Sequence, residues 1–495
     1  MIQPPPDEQV VANPTYMADI RFFFDQIDID HMGAKGIELG TYEGVKQNAV
    51  TVFLHTAPPN ADMPPEDARK WSAARSQTFK NWILAGYPVG AAVESTAART
   101  ALAAGVGRVR KNVADLSQAE IDTLTTAFKG ILAKPITDSD SYCSIASVHG
   151  LPPPTYCLHH EDRYNPWHRV YLKVFEDALR AIPGCGNLTL PYWDISTPIP
   201  AVLQAPPFDS YVVPVDLGPR YGKNYKTQRY DQATINANLK GYQVLEYIAL
   251  SMTQSLWGVY GVNGYQDSSI AAHDGGHLST GPTMADQNIA SFDPIFWFFH
   301  CNLDRLWLNW QVKVGATTLA GFKSTLSGNT DWLSAPFNAL PPYAITADQT
   351  IDFEGISYDQ PAPLSASVAS LENKVGSIEA NRAFVVPRST EVSVLVKNID
   401  RLNIPGSFVV NLLADGEPVA KRAFFQPATP RECDNCRKHG LVSVNFRIDQ
   451  ERIVDRRLSI SIELPSQEAL GMGKNFPLSS AGNPTINVRL LLQDG

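Results

Sequence analysis

Six of the ten histidines form two groups of three whose spacing suits metal binding. The groups are His149, His159 and His168, and His273, His277 and His300. His273 and His277 are four residues apart, so both rings lie on one face of a helix, as a shared metal ion requires. Each group combines histidines from separate local elements, as expected of a three-coordinate site with an open face. The sequence therefore predicts two metal sites.

Other interpretations of these histidines are weaker. A single histidine is more often a surface or core residue, and a zinc protease needs Glu directly after the first histidine of the pair, where this chain has Asp274. Structural metal sites are usually closed by four ligands. A di-iron site uses carboxylate ligands, whereas imidazole binds copper tightly. Two copper ions per chain are the prediction.

Three helix-start signals lie in the histidine-bearing part of the chain, two of them just before the third histidine of a group. Ser117 and Glu120 form a capping box, which predicts a helix from this point. Asn165-Pro166 predicts a second helix start, with Asn as the N-cap. Asp293-Pro294 predicts a third, ahead of an amphipathic run to about Val312. The histidine-bearing part is therefore expected to be mainly helical.

The last part of the chain has a different composition. All nine Trp and all eighteen Tyr lie at or before Tyr358, and Asp359–Ser367 has the composition of a linker. Short runs rich in Val, Ile and Leu then predict strands, with Asp415-Gly416 as a hairpin turn. These runs are Glu391–Asn398, Phe408–Ala414, Pro418–Phe425, Leu441–Ile448, Arg457–Leu464 and Thr485–Leu492. We predict a mixed N-terminal part (1–114), a helical core (115–360) and a small antiparallel β-sandwich (368–495).

Charge and cysteine content limit the partners and the location. The net charge is −9 without a long run of Lys or Arg, so neither a nucleic acid nor an anionic membrane surface is expected to bind. The N-terminal residues do not resemble a signal peptide, and no window is a clean membrane span. Six cysteines in 495 residues are few for a disulfide scaffold. A cytoplasmic protein with reduced thiols is the expectation.

The residues around the histidines resemble the type 3 copper proteins, and within them the tyrosinases (polyphenol oxidases) of bacterial and fungal kind. The first region reads Ser147-Val148-His149-Gly150, Tyr156-Cys157-Leu158-His159 and Pro166-Trp167-His168-Arg169. The second reads His273-x3-His277, Phe292-Asp293-Pro294-Ile295-Phe296-Trp297 and His300-Cys301-Asn302-Leu303-Asp304-Arg305. The resemblance is dense over residues 115–312, and it implies a mainly α catalytic domain in which a four-helix bundle holds a dicopper centre.

The resemblance also implies roles for individual residues. His149, His159 and His168 would hold the first copper (CuA), and His273, His277 and His300 the second (CuB). His160 competes with His159 on spacing alone, and the nine-residue gap to His168 favours His159. Cys157 would form a thioether bond to His159, with a small buried thiol as the alternative. Phe296 would pack beside the substrate ring, or serve only as core.

The implied activity is oxidation of phenols by O2. A tyrosinase hydroxylates monophenols to o-diphenols and oxidises these to o-quinones, which leads to melanin biosynthesis. Many tyrosinases carry a Glu shortly before the first CuB histidine, but here positions 269 and 270 are Ser and Ile, which leaves Asp267 and Asp274 to handle the phenol proton. The alternatives are a catechol or o-aminophenol oxidase without hydroxylase activity, or a hemocyanin-like oxygen carrier.

A β domain after such a catalytic domain resembles the family's lid. Phe424 and Phe425 are candidates to plug the entrance, although core packing is an alternative for each. Cys433 and Cys436 form a Cys-x-x-Cys pair that can hold soft Cu(I) for copper loading, with a local disulfide or two idle thiols as alternatives. The expected partners are small phenols and O2, with a copper chaperone as a further candidate.

Overall fold

A computed structural model describes most of the chain. The described residues are 10–16, 19–24, 42–58, 70–88, 108–152, 156–258, 260–261, 263–326, 330–334, 346–351, 356–359, 391–465 and 475–490, with single positions 28, 32, 35, 37, 39, 61, 63, 64 and 337. The expected linker lies almost wholly outside them. None of the helices in these ranges is long and apolar enough to cross a membrane.

Helices dominate the described residues before position 330. They are α1 (Tyr42–Thr56), α2 (Ala73–Leu84), α3 (Gln118–Ala133), α4 (Tyr142–Ser147), α5 (Tyr164–Arg180), α6 (Gln232–Gly241), α7 (Val244–Thr253), α8 (Gly264–Thr280), α9 (Ile295–Val314) and α10 (Leu319–Ser324). The predicted capping box at Ser117 and Glu120 begins α3. The backbone N–H of Ile295 donates to the Asp293 carboxylate at 3.1 Å, so Asp293 satisfies a free donor at the start of α9.

The start of α5 differs from the expectation. This helix begins at Tyr164, so its N-cap is Arg163, two residues before the predicted cap Asn165, and Arg163 makes no side-chain capping bond. Pro166 still lies in the first turn, where its missing N–H removes no intrahelical bond. Thirteen of the seventeen α5 residues are buried, so tertiary packing stabilises this helix more than its N-terminus does.

A β-rich region follows residue 390. Its strands are β3 (Glu391–Asp400), β4 (Phe408–Ala414), β5 (Glu417–Phe424), β6 (Leu441–Asp449), β7 (Leu458–Glu463), β8 (Asn475–Phe476) and β9 (Thr485–Leu490), with a short helix, α11 (Asp434–Lys438), before β6. They form two antiparallel sheets, in the orders β6-β3-β9 and β5-β4-β7-β8. All six predicted strands occur, and β8 is an additional one.

Two contacts connect the ends of the helical part. The earlier strands β1 (Arg108–Arg110) and β2 (Ile356–Tyr358) pair in parallel, which places Tyr358 opposite Arg110. The Arg110 guanidinium donates to the Tyr358 hydroxyl at 3.0 Å and to Glu176 at 3.0 Å. Arg110 and Glu176 are both buried, so the ion pair between them fixes the strand pair onto α5.

The β-rich region packs against the histidine-bearing helices. The Arg422 side chain of β5 donates to the Asp267 carboxylate of α8 at 2.8 Å, and both side chains are buried. At the turn between β4 and β5, Asp415 and Gly416 have φ values of +52° and +86°, the left-handed pair that a tight hairpin requires. Phe425, directly after β5, packs with the helical part of the chain.

Candidate metal centre

The six histidines of the two groups meet in the interior of the chain. Helix α5 supplies His168, α8 supplies His273 and His277, and α9 supplies His300. His149 and His159 come from the segments that follow α4 and precede α5. Rings of the two groups touch, since the ring centroids of His168 and His300 are 4.6 Å apart and those of His159 and His273 are 5.3 Å apart. We call the two groups the first trio and the second trio.

Three of these rings are held by hydrogen bonds at Nδ1. The Nδ1–H of His168 donates to the Tyr164 carbonyl at 2.9 Å, and that of His277 donates to the Met284 carbonyl at 2.8 Å. The Nδ1–H of His273 donates to the Asp274 carboxylate at 2.8 Å. A proton on Nδ1 leaves the Nε2 lone pair free, which is how histidine ligands are usually oriented for a metal ion.

The remaining ring nitrogens fit a metal ion. The Nε2 atoms of His168 and His273 are buried and have no hydrogen-bond partner among the described residues. The Nε2 atoms of His149 and His159 lie 3.3 Å apart, and those of His277 and His300 lie 3.0 Å apart. Two nitrogens bound at about 2.0–2.1 Å to one tetrahedral ion are roughly 3.3 Å apart. Each trio therefore offers nitrogens at ligand spacing.

Burial keeps the six rings neutral. Each is at most 4% exposed, and loss of hydration lowers the pKa of every one of them, that of His149 to about 3. A metal ligand must present an unprotonated nitrogen, so rings that stay neutral at pH 7 meet this requirement without losing a proton.

The ligand atoms of the first trio are less closely grouped than those of the second. The ligand atoms of His273, His277 and His300 all lie within 4.8 Å of one another, whereas in the first region that compact set is His149, Cys157 and His159. The Cys157 thiol is free, accepts from the Gln287 amide at 3.0 Å and donates to the His149 carbonyl at 3.4 Å. Cys157 is thus beside the first trio, and its thioether bond to His159 stays a prediction.

Comparisons with known proteins agree with this arrangement. A family model described as the common central domain of tyrosinase matches residues 139–254 and 205–313. The matched residues support a type 3 copper protein family for the histidine-bearing part of the chain.

The relatives of the chain include hemocyanins and a tyrosinase. It is 32% identical over 227 residues to hemocyanin beta-C chain unit G of Helix pomatia and 26% identical over 255 residues to tyrosinase HcTyr1 of a Hahella species. The two matches span 43% and 42% of this chain, respectively. The chain covers about half of the length of each relative (54%).

Solved structures of both kinds share the fold. A tyrosinase from Burkholderia thailandensis aligns with a TM-score of 0.57 at 21% identity, covering 78% of this chain and 100% of that one. A functional unit of octopus hemocyanin aligns with a TM-score of 0.56 at 20% identity, covering 77% of this chain and 99% of that one.

Both candidate acids already accept hydrogen bonds from other side chains. One Asp274 oxygen accepts from His273, and the other accepts from Nε2 of His160 at 2.8 Å. Burial opposes ionisation of Asp274, but His160 and His273 outweigh it and lower the pKa to about 2. Asp267 accepts from Arg422 and from the Gly261 N–H. Their role in handling a phenol proton stays a prediction.

Two phenylalanines border the trios. Phe296 is fully buried, with its ring centroid 4.1 Å from that of His300 and 4.8 Å from that of His149. Phe425 follows β5, and its ring stacks on His277 at 4.0 Å with an interplanar angle of 12°. It also lies 5.5 Å from the rings of both His159 and His273. A residue from the β-rich region therefore covers the second trio.

The Cys-x-x-Cys pair lies close to the site. The Cys433 thiol accepts from the Cys436 N–H at 3.2 Å, and Asn435 between them donates to the His159 carbonyl at 2.8 Å. Both thiols are free and buried. Burial opposes ionisation of Cys436, but its hydrogen bond with Cys433 and the Arg401 guanidinium lower its pKa. A copper-loading role for the pair stays a prediction.

The sequence alone missed several contacts of the site. His160 points away from the trios to Asp274, and Tyr164 packs between His168 and His273 at 4.6 and 4.8 Å. No local motif marks either residue, although Tyr164 precedes His168 by one helical turn. Of the other histidines, His55 lies on α1, His439 follows α11, and His31 is outside the described residues.

Proposed function

We propose that each trio binds one copper ion and that the chain is a tyrosinase, which hydroxylates monophenols and oxidises o-diphenols to o-quinones with O2. The observation that carries the proposal is the meeting of six buried imidazoles, with one pair of Nε2 atoms at ligand spacing in each trio. A bound copper pair would supply two one-electron redox centres for O2 and a Lewis acid for a phenolate.

Residues of this chain have defined parts in the proposal. Phe296 packs against His300 and His149, where it can also bound one side of the substrate ring. Asp274 and Asp267 are the candidates to take the phenol proton, and loss of that step would leave a catechol or o-aminophenol oxidase. A thioether between Cys157 and His159 would fix that ring and remove a competing thiol.

The proposal extends to the architecture. Helices α3, α5, α8 and α9 would form the four-helix bundle that holds the metal pair, and the two sheets after residue 390 would form a β-sandwich. Side chains from both sheets share one hydrophobic cluster, which supports the sandwich. The division at residues 1–114, 115–360 and 368–495 remains part of the same proposal.

Phe425 implies that the intact chain is latent toward phenols. Its ring stacks directly on His277, so an aromatic substrate cannot occupy that face until Phe425 moves. O2 is much smaller than a phenol and needs less displacement. A covered site that still admits O2 also fits a second candidate function, a hemocyanin-like oxygen carrier. The 32% identity to a hemocyanin unit supports this candidate too.

Oxygen uptake separates these functions. The copper-loaded chain and its Phe425→Ala variant are each given tyrosine and L-DOPA as separate substrates. A tyrosinase consumes O2 with both substrates, and a catechol oxidase only with L-DOPA. Reversible O2 binding without turnover of either substrate by the opened variant would favour the carrier and refute the enzyme.

A further inference from the structure

Four buried polar side chains form a line from the β-rich region to the second trio. The Arg401 guanidinium lies 3.2 Å from Nδ1 of His160. Nε2 of His160 lies 2.8 Å from one oxygen of Asp274, whose other oxygen lies 2.8 Å from Nδ1 of His273. All four residues are at most 2% exposed, so water does not compete for these bonds.

The direction of each hydrogen bond in this line follows from the guanidinium at its start and from the ionised Asp274 carboxylate, which only accepts. A guanidinium only donates, so Nδ1 of His160 accepts and carries no proton. The proton of neutral His160 is therefore on Nε2, which donates to Asp274. The second Asp274 oxygen accepts from Nδ1–H of His273. The Nε2 lone pair of His273, which has no partner among the described residues, is consequently free for a metal ion.

The β-rich region contacts His160 through Phe424 and Arg401. The His160 ring stacks on Phe424 at 4.0 Å, and the His160 backbone has a φ of +59°, a conformation that L-residues adopt infrequently. Arg401 is fixed in turn, since it donates to Gln426 at 3.0 Å and to the Cys436 sulfur at 3.2 Å, and lies 4.9 Å over the Phe424 ring.

We propose that Arg401 is a positioning residue for the second trio, acting through His160 and Asp274 on His273. Docking of the β-rich region then has two effects: Phe425 covers the site, and Arg401 orients His160 as the donor that holds Asp274 in place to accept from Nδ1–H of His273. The inference rests on the proposed function, because it assumes a metal ion at the second trio. It predicts that the region which blocks the substrate also strengthens metal binding.

Metal affinity of the second trio tests this directly. His149→Ala and His168→Ala, combined with Cys433→Ser and Cys436→Ser, leave the second trio as the main copper site. In that background, Arg401→Met approximately keeps the side-chain length and removes the hydrogen-bond donors. The Cu(I) affinity of each variant is measured anaerobically by competition with a chromogenic chelator. We expect a loss of about tenfold, at the low end of effects for residues that orient ligands. Arg401→Lys restores a donor and should recover most of it.

Arg422→Met is the matched control. Like Arg401, Arg422 is a buried arginine of the β-rich region that lies 4.9 Å over an aromatic ring and binds a side chain of the helical part, here the Asp267 carboxylate of α8. Asp267, however, is not hydrogen-bonded to a trio histidine in the described structure. Its removal should weaken docking and leave the Cu(I) affinity within about twofold of the background. Equal losses in both variants would mean that docking alone matters and would overturn the inference.

A double-mutant cycle covers the case in which Arg401→Met disturbs folding. His160→Phe keeps a stacked ring and removes the link, so Arg401→Met should have no further effect on Cu(I) affinity in that background. Additive losses refute the line through His160. Unchanged affinity in all variants refutes it too and leaves the proposed function standing, whereas an unmodified chain that binds no copper refutes the function itself.

Discussion

Replacing Phe425 with alanine should turn a latent chain into an active one. Phe425 is fully buried, and its ring lies on His277 and beside His159 and His273. For a phenol to reach the second trio, this ring must first leave its place. Exposing a buried phenylalanine costs about 1.5–3 kcal/mol, which reduces the open population roughly 10- to 150-fold. We expect Phe425→Ala to raise kcat/KM for L-DOPA by about that factor.

The assay follows quinone absorbance and O2 uptake of copper-loaded proteins with equal copper content. Phe408→Ala is the control, since Phe408 is also fully buried but belongs to the core of the β-rich region, where it stacks on Phe424 at 4.7 Å. Each truncation should cost about 3–5 kcal/mol of packing in its own cluster. Equal activation by both variants, or none by Phe425→Ala, would refute the covering role of this ring.

Three further predictions concern metal and protons. His168→Ala should lower copper content from two ions toward one per chain by metal analysis, and retention of two ions would exclude His168 as a ligand. Replacing Cys433 and Cys436 with serine should lower copper content under limiting copper, and full occupancy would end the loading role. The metal-free chain should lose stability as pH falls, because burial lowers the pKa of His149 to about 3 and unfolding restores proton uptake near 6.5. The free energy of unfolding contributed by neutral His149 is complete above pH 6.5 and falls by about 1.4 kcal/mol per pH unit between 6.5 and 3. Urea unfolding midpoints that do not change over this pH range would contradict the prediction.

Local patterns predicted many of the helices and strands, and they singled out the six histidines that the fold brings together. The capping box at Ser117 produced α3, the Asp415-Gly416 pair produced the β4–β5 hairpin, and the four-residue spacing placed His273 and His277 on one face of α8. These features depend on neighbouring residues in sequence, so periodicity and turn chemistry reveal them. The predicted N-cap of α5, Asn165, was wrong by two residues because packing, rather than a cap, defines that end.

Only the tertiary structure decided how the β-rich region contacts the site. Phe424 and Phe425 have the same type and are adjacent, yet Phe424 belongs to the core of the β-rich region and Phe425 packs with the histidine-bearing helices. Side chains alternate along a strand, so a choice between them requires the register of β5 and its docking on α8. The bond between Arg401 and His160 joins residues 241 positions apart. No spacing rule reaches that far, because such contacts depend on how separate elements pack.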